Sequence, residues 1–298
     1  IFFRVSKSTM PSTLYFSNLS YYSQIARIAL IDSPLDPEIV IVSLPNTEHL
    51  KPPYARINPK LTVPALRLED GAMLTDSRDI LNKVCSETSE PASERGDTIR
   101  TIINKLYSVP MGTVAFRATA RNNKLFYYIN QFLGMNGRRE IQKHLDKDPD
   151  LREAYVKALE IRNQPPALAT NEQFRKAVTT VQPVLDYLDG LLTKAADKFP
   201  DKFLLGETYE PLADGISAVL VQWVLWTNKY EEVGVVSPQL TAWLGRVRQT
   251  PAWKAVGGEF APTEILGMVG GNLEAVAGGL FCAVLTLGII LIYVVFQW

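Results

Sequence analysis

Residues 57–80 constrain the fold most, because they combine three local signals in one short run. Pro64 follows Val63 just before an apolar segment, where a proline in the cis form would leave a backbone amide facing solvent. Residues 69–71 (Glu-Asp-Gly) predict a hairpin turn with positive φ. Residues 76–78 (Asp-Ser-Arg) then begin an amphipathic helix, whose N-terminal amides favour an anion. The run suits a short peptide-like ligand with carboxylates, although an ordinary βα turn with an edge proline is an alternative interpretation.

The residues before this run predict a β-α-β unit. Residues 13–16 form a short strand, residues 24–31 a helix, and residues 38–43 an alternating strand that we expect to be buried. Residues 45–56 are polar and predict an irregular connection. A parallel crossover followed by a hairpin and a helix is typical of a thioredoxin-like α/β domain, which we place at residues 12–88.

The rest of the central sequence predicts an all-α domain. Residues 89–97 are polar, contain proline and glycine, and predict a linker between domains. From residue 98 to residue 256 the apolar positions recur at helical spacing. The expected helices span 99–107, 113–133, 151–162, 173–196, 212–228 and 239–248.

Composition argues against several classes of function. The chain has 31 basic and 31 acidic residues, so charge gives no reason to expect a nucleic-acid partner. Cys85 and Cys282 cannot form a disulfide framework. With His49 and His144 as the two histidines, a zinc site or a His-based triad is not expected either. We therefore predict a protein that binds no metal.

The C-terminal residues predict a membrane anchor. Residues 280–298 are apolar on every helical face, and at about 1.5 Å per residue they extend roughly 30 Å, the thickness of a hydrocarbon core. Tyr293 and Trp298 fit an interfacial aromatic belt. A buried C-terminal helix is the alternative. We expect a single transmembrane helix that acts as a tail anchor in the bilayer, joined through the glycine-rich connector 257–279.

Flanking charges and the N-terminal residues bear on localisation. Arg246, Arg248 and Lys254 precede the predicted span, so we expect the folded part on the cytosolic side, or on the equivalent matrix or stromal side of an organelle. Residues 1–11 form an N-terminal extension. The sequence begins without methionine, so either a targeting segment was removed or the start is unresolved or wrongly assigned, with Met10 as the candidate start. These alternatives imply different compartments.

The order of these parts resembles the glutathione transferase family over residues 12–256. The closest pattern is the serine-type group typified by insect delta transferases, with which residues 47–78 run in step. Residues 203–214, which end in Ala-Asp, and residues 238–253 are similar to the family's C-terminal domain. The stretch 134–168 is longer than usual for the family. The resemblance implies a thioredoxin-like domain followed by an all-α C-terminal domain, with glutathione as ligand or substrate.

The resemblance also implies a set of site residues. The residue before a cis-proline pairs with the cysteinyl backbone of glutathione, and an acid-Ser pair holds its γ-glutamyl end. The implied glutathione-binding residues are His49, Val63, Pro64, Asp76, Ser77 and Arg78. For His49, a surface histidine in a polar loop is the alternative interpretation.

The implied catalytic residue is Ser20, as a hydrogen-bond donor that lowers the thiol pKa of glutathione. Helix N-capping by Ser20 or Ser23 is the alternative interpretation. Tyr15, Tyr21 and Tyr22 are other hydroxyl donors, or packing residues. Because serines stand where redox-active relatives have cysteines, thiol–disulfide exchange by the protein is not expected.

Two departures from the family pattern leave the activity open. Leu61 stands where the delta pattern has a histidine that contacts the glycyl carboxylate, and Pro211 replaces a capping hydroxyl. One hypothesis is a membrane-anchored enzyme that conjugates glutathione to lipophilic electrophiles. The other is a non-catalytic interaction module, such as an import or morphology factor or an accessory subunit of a membrane assembly. A membrane-protein complex and a homodimer are the alternative protein partners.

Overall fold

The computed structural model describes residues 11–88, 93–164, 170–196 and 202–256. The predicted connector 257–279, the predicted span 280–298 and nearly all of the N-terminal extension lie outside the described residues. Within the described ranges, no helix combines the length and the apolar character needed to cross a bilayer.

A four-stranded sheet organises the N-terminal half. Its strands are β1 (Thr13–Phe16), β2 (Glu38–Ile41), β3 (Ala65–Arg67) and β4 (Met73–Leu74), in the spatial order β2-β1-β3-β4. β1 is parallel to β2 and antiparallel to β3, which is antiparallel to β4. This is the predicted thioredoxin-like arrangement. The predicted turn is also confirmed, with Gly71 at φ 86°.

Strand β2 differs from the prediction, because it is exposed rather than buried. Val40 and Ile41 are 41% and 64% exposed. The alternating apolar pattern indicated a strand but could not indicate its place in the sheet. β2 pairs with β1 alone, so it lies at an edge.

The helices of the N-terminal half are α1 (Tyr21–Ala29), α2 (Pro52–Ile57) and α3 (Ser77–Thr88). A 3₁₀ turn at Glu48–Leu50 precedes α2. The prediction of an irregular connection at residues 45–56 is therefore wrong, since two prolines start a short helix there.

The described part of the C-terminal half is helical, as predicted. A 3₁₀ turn at Pro149–Leu151 precedes α7, and a π-helical turn at Pro211–Gly215 precedes α10. The helices are α4 (Glu94–Ser108), α5 (Met111–Asn122), α6 (Lys124–Leu145), α7 (Arg152–Asn163), α8 (Asn171–Val178), α9 (Gln182–Ala196), α10 (Ile216–Thr227), α11 (Pro238–Val247) and α12 (Pro251–Val256).

Three helix boundaries differ from the predictions, and a capping residue accounts for two of them. The predicted helix 113–133 is two helices, and the Asn123 side chain caps α6 by accepting a hydrogen bond from the Phe126 amide at 3.2 Å. The predicted helix 173–196 is also two helices, α8 and α9. Helix α4 begins inside the predicted linker, since Ser93 caps it by accepting from the Gly96 amide at 3.0 Å.

Helix α10 packs the two halves together. Trp223 is buried on α10, and its Nε1 donates to the Gln24 side chain of α1 at 2.6 Å. The start of α10 is fixed by Asp214, which accepts hydrogen bonds from the Leu204 and Glu210 amides and from Trp243 Nε1. The capping role lost at Pro211 passes to Glu210, whose carboxylate accepts from the Leu212 amide at 3.4 Å.

The longer stretch identified in the sequence forms a helical hairpin, α6 and α7, hereafter the α6–α7 hairpin. It packs on the 3₁₀ turn and on α2, where the Tyr155 hydroxyl donates to the Leu50 carbonyl at 3.1 Å. Arg56 of α2 forms ion pairs with Asp148 and Asp150 at 3.3 and 2.9 Å. A buried apolar cluster joins the hairpin to the N-terminal half and contains Leu50, Ala55, Leu61, Ile141, Leu151, Tyr155 and Ala158.

Candidate functional site

Four loops meet at one end of the sheet. β1 and β2 are parallel, with Phe16 opposite Ile41, so both end there. β3 begins there because Ala65 lies opposite Tyr15, and β4 ends there because Leu74 lies opposite Leu66. The loops after β1, β2 and β4 and the loop before β3 are therefore neighbours. The predicted site residues in these connections are Ser20, His49, Val63, Pro64 and Asp76. Ser77 and Arg78, the other two, begin α3 directly after them.

The loop before β3 presents an unpaired stretch of backbone. The Val63–Pro64 peptide bond is cis, as the resemblance implies. Within the described chain, the Val63 N–H and C=O have no hydrogen-bond partner. The preceding Thr62 carbonyl is fixed, because it accepts from the Tyr54 hydroxyl at 2.6 Å and from the Asn58 side chain at 2.7 Å. An extended peptide can pair with such an edge.

The start of α3 brings an acid, a hydroxyl and a guanidinium together. Asp76 is exposed, and its Oδ1 accepts from the Arg78 amide at 2.8 Å. Ser77 is buried, and its Oγ accepts from the Tyr107 hydroxyl at 2.6 Å. The Arg78 guanidinium lies 5.4 Å from the centre of the Tyr107 ring and donates to Asn104.

Sequence reasoning missed Tyr107 and left Tyr22 as one of several alternatives. The two rings stack at 5.7 Å. Burial raises the pKa of both hydroxyls, and the charge of Asp76 raises both further, so both remain protonated donors at neutral pH. No local signal marks Tyr107, because it lies on α4, far from Ser77 in the sequence.

Ser20 is the N-cap of α1. Its Oγ accepts a hydrogen bond from the Ser23 amide at 3.3 Å, which establishes the capping role. Capping uses an oxygen lone pair and leaves the hydroxyl hydrogen available as a donor. Tyr21 is fully buried against Trp223, at a ring distance of 5.6 Å, and therefore has a packing role.

Comparison with known proteins identifies the fold. Residues 19–87 match the family described as glutathione S-transferase, N-terminal domain. A beta-etherase from Sphingobium sp. strain SYK-6 superposes with a TM-score of 0.56 at 22% identity, covering 84% of this chain and 100% of that one. The chain has the glutathione S-transferase fold.

Two further structures with this fold contain glutathione. A glutathione transferase homolog from Sulfitobacter, with bound glutathione, has a TM-score of 0.50 and 21% identity, and covers 84% of this chain and 99% of its own. Ure2p in complex with glutathione has a TM-score of 0.52 and 15% identity, and covers 83% and 98% respectively. None of the curated proteins matches the sequence significantly.

The α6–α7 hairpin packs on the 3₁₀ turn that carries His49 and on Leu61 in the loop before β3. His49 lies on the 3₁₀ turn, where burial and then the charge of Arg162 lower its pKa to about 4. Leu61 has φ 56° and is 1% exposed within the apolar cluster beneath the hairpin. Leu61, which departs from the delta pattern, therefore packs in the buried apolar cluster.

In the described residues, no group suited to a metal ion lies at this site, and a separate cleft lies elsewhere. No group of three or more His, Cys, Asp or Glu side chains suited to a metal ion occurs in the described ranges. A cleft of about 260 Å³ lies at the other ends of α1 and α3, lined by Ala29, Val84, Tyr209 and Glu210 among others. It contains none of the predicted site residues.

Proposed function

We propose that this protein binds glutathione in an extended conformation at the end of the sheet where the four loops meet. The observation that carries the proposal is the unpaired Val63 backbone at a cis-proline, next to the start of α3 with Asp76 and Ser77. The solved structures of the Sulfitobacter protein and Ure2p, which have the same fold and contain glutathione, support it.

Each part of the tripeptide has a counterpart in the proposed site. The Val63 N–H and C=O pair with the cysteinyl backbone. The Asp76 carboxylate accepts from the γ-glutamyl ammonium. Ser77, whose oxygen already accepts from Tyr107, donates its own proton to the γ-glutamyl carboxylate beside the N-terminal amides of α3. Arg78 adds positive charge on the same turn.

Calorimetric titration of the full-length protein with glutathione tests this proposal. Asp76→Asn is expected to weaken binding about tenfold or more, because a charge-assisted hydrogen bond is lost while the short cap to the Arg78 amide is kept. Asp79→Asn is the matched control, since Asp79 is an exposed acid on the same first turn. Absence of binding at millimolar glutathione, or equal effects of the two variants, would contradict the proposal.

The proposed catalytic activity is conjugation of glutathione to lipophilic electrophiles. The Ser20 hydroxyl donates to the sulfur of bound glutathione and lowers its pKa, so that the thiolate forms a C–S bond with the electrophilic carbon. The displaced electron pair leaves with the leaving group. Ser20→Asp keeps a helix cap but cannot donate, so it is expected to raise the pKa of the bound thiol and slow conjugation. Slower conjugation in Tyr22→Phe, with an unchanged rate in Ser20→Asp, would instead identify Tyr22 as the donor.

The second candidate function is a non-catalytic module in a membrane complex. It is favoured by Leu61, which the α6–α7 hairpin buries where the delta pattern has a ligand-contacting histidine. Purification in mild detergent distinguishes the candidates: a stoichiometric larger assembly without conjugating activity supports the module. A monomer or simple homodimer with activity supports the enzyme.

Membrane anchoring by residues 280–298, with the folded part on the cytosolic or equivalent organellar side, is part of the proposal and rests on the sequence. Alkaline extraction of membranes is expected to retain the full-length protein and release a variant that ends at residue 279. Protease accessibility of the folded part in intact organelles tests the orientation.

A further inference from the structure

The proposed glutathione site adjoins the N-termini of α1 and α3, whereas a cleft of about 260 Å³ lies at their C-termini. This volume corresponds to about nine water molecules at roughly 30 Å³ each, so the cleft suits a ligand smaller than a typical drug. Part of its wall is apolar and includes the buried residues Ala29, Val84 and Leu212. The cleft can therefore hold the apolar body of a small molecule.

Two hydroxyl groups at this cleft lack hydrogen-bond partners. Ser33 is 7% exposed and lines the cleft, and its buried Oγ has no partner among the described residues. The Tyr209 hydroxyl is likewise buried and unpaired within the described chain. Burial raises the pKa of Tyr209, and neighbouring carboxylates raise it further, so this hydroxyl stays protonated at neutral pH. Buried polar groups are normally hydrogen-bonded, and a polar ligand in the cleft would supply the partner.

The carboxylates at the cleft favour a cation. Asp32 is exposed there and forms no ion pair with any described residue. Glu210 also lines the cleft, and its carboxylate is paired with Arg95 at 2.6 Å. Among the described residues, no lysine, arginine or histidine lines the cleft. A cation can therefore approach Asp32, whereas an anion would meet no basic lining side chain there.

Helix ends add to this negative potential. α1 ends at Ala29 and α3 ends at Thr88, and both residues line the cleft. The C-terminus of a helix carries a negative charge of about half a unit, and α3 has no basic residue in its last turn. Arg27 lies in the last turn of α1 but does not line the cleft. The N-terminus of the π-helical turn would favour an anion, but the Glu210 carboxylate already caps it.

We propose that this cleft binds a small organic ammonium compound, a primary amine attached to an apolar ring or chain. The ammonium group donates to the Asp32 carboxylate and to the Oγ of Ser33, its neighbour in the chain. The apolar body contacts the buried apolar part of the wall. The cleft is separate from the four loops of the proposed glutathione site, so this proposal does not depend on glutathione binding.

Calorimetric titration of the full-length protein with 2-phenylethylamine, which is protonated at neutral pH, tests the charge of the ligand. The neutral 2-phenylethanol and the anionic phenylacetate are the comparison probes. The amine is expected to bind about fivefold more tightly than the alcohol, because the alcohol cannot form an ion pair with Asp32. Equal affinities for the two, tighter binding of phenylacetate, or no binding of the amine at millimolar concentration would overturn the proposal.

Two substitutions in one loop locate the ammonium group. Asp32→Asn is expected to abolish the preference for the amine over the alcohol. Asp36→Asn is the matched control and should retain the preference, because Asp36 is an exposed acid of the same loop that does not line the cleft. Both positions have positive φ, 57° and 24°, which asparagine tolerates, so neither exchange strains the backbone. Equal effects of the two variants would contradict a role for Asp32.

Ser33→Ala separates a binding role of this hydroxyl from a structural one. The Ser33 Oγ has no partner in the described chain, so its removal is expected to leave the Tm unchanged or raise it. The affinity for the amine is expected to fall about threefold or more. Unchanged affinity in Ser33→Ala would overturn the role of Ser33 in the site.

Repeating the amine titration in the presence of glutathione distinguishes the cleft from the proposed glutathione site. The amine affinity is expected to be the same with and without glutathione, because the two sites adjoin opposite ends of α1 and α3. Competition between the two ligands would overturn the cleft proposal while glutathione binding stands. Failure of glutathione to bind, with the amine still bound in a manner that depends on Asp32, would contradict only the proposed function.

Discussion

Single buried polar residues fix the geometry of this fold. Asp214 is fully buried, and its carboxylate accepts hydrogen bonds from the Leu204 amide at 2.7 Å, the Glu210 amide at 2.9 Å and Trp243 Nε1 at 2.8 Å. Burial raises the pKa of Asp214 to about 6, against the opposing effect of these donors. At neutral pH this carboxylate holds three separate segments together.

Asp214→Asn is expected to lower the free energy of unfolding by about 2–4 kcal/mol at pH 8. The Asn side chain would place its NH₂ group opposite N–H groups that now donate to the Asp214 carboxylate. At least one of these three N–H groups would then lack an acceptor. Denaturant unfolding measures the effect, with the exposed Asp79→Asn as a control expected to stay within about 0.5 kcal/mol of wild type. A similar small change in Asp214→Asn would contradict the structural role.

His49 is expected to make the protein sensitive to acid. Its pKa is lowered to about 4 in the folded state, below the ordinary value of about 6.5, so the unfolded chain binds more protons between these pH values. The stability that neutral His49 contributes is present above about pH 6.5 and is lost as pH falls to about 4. Partial exposure limits the loss to roughly 1–3 kcal/mol.

Comparison of wild type with His49→Gln at pH values from 7.5 to 4 isolates this effect. The variant keeps His144, which lies 3.0 Å from both Glu140 and Asp148, so contributions from the other histidine cancel. The difference in unfolding free energy should shrink as the pH falls. A difference that does not change with pH would refute the prediction.

At the scale of elements, the α6–α7 hairpin sets the environment of the loop before β3. Its apolar face covers the loop that contains Leu61, and its end carries Arg162. Leu61 has φ 56°, a conformation that costs an L-residue about 1–2 kcal/mol, and burial beneath the hairpin offsets that cost.

Leu61→Ala is therefore expected to lower the unfolding free energy by about 2–4 kcal/mol, because it leaves a cavity in the cluster. Leu61→Gly should cost about 1 kcal/mol less than Leu61→Ala, since glycine adopts positive φ without strain. This order is opposite to the usual one, in which glycine is the more destabilising. Thermal and denaturant unfolding of the two variants decide between the orders.

At the scale of the whole molecule, buried side chains of α1 and α10 join the two halves. Trp223 of α10 donates to Gln24 of α1 in a buried hydrogen bond of 2.6 Å, and its ring contacts Tyr21 and Trp226. Elements of the thioredoxin-like half and of the helical half therefore stabilise each other.

Trp223→Phe is expected to destabilise both halves together, by about 2–4 kcal/mol, with a single unfolding transition as in wild type. It removes the donor and leaves Gln24 Oε1 buried without its partner. Adding Gln24→Met should recover part of the loss, since the unpaired acceptor is then gone. Two separated calorimetric transitions would show that the halves are energetically independent.

Much of this architecture is predictable from sequence because its signals are local. The turn at residues 69–71 and the helical spacing between residues 98 and 256 depend on neighbouring residues, and the described parts of the structure agree with both. The cis bond at Pro64 is expected from the family resemblance instead. The prediction of a single helix at 113–133 was wrong because it continued a periodic pattern past a capping residue. A single polar residue such as Asn123 does not interrupt the apolar periodicity, so the pattern alone does not show that this residue ends one helix and caps the next.

The sequence by itself determined the order of the four strands and of most helices, and the connections that carry the candidate site. The tertiary structure alone decided that β2 lies at an edge, that Leu61 is core, that Tyr107 bonds to Ser77, and that Arg162 lies near His49. The physical reason is the range of the interactions. A turn or a cap depends on a few adjacent residues, whereas these four features depend on packing between segments that are distant in the chain.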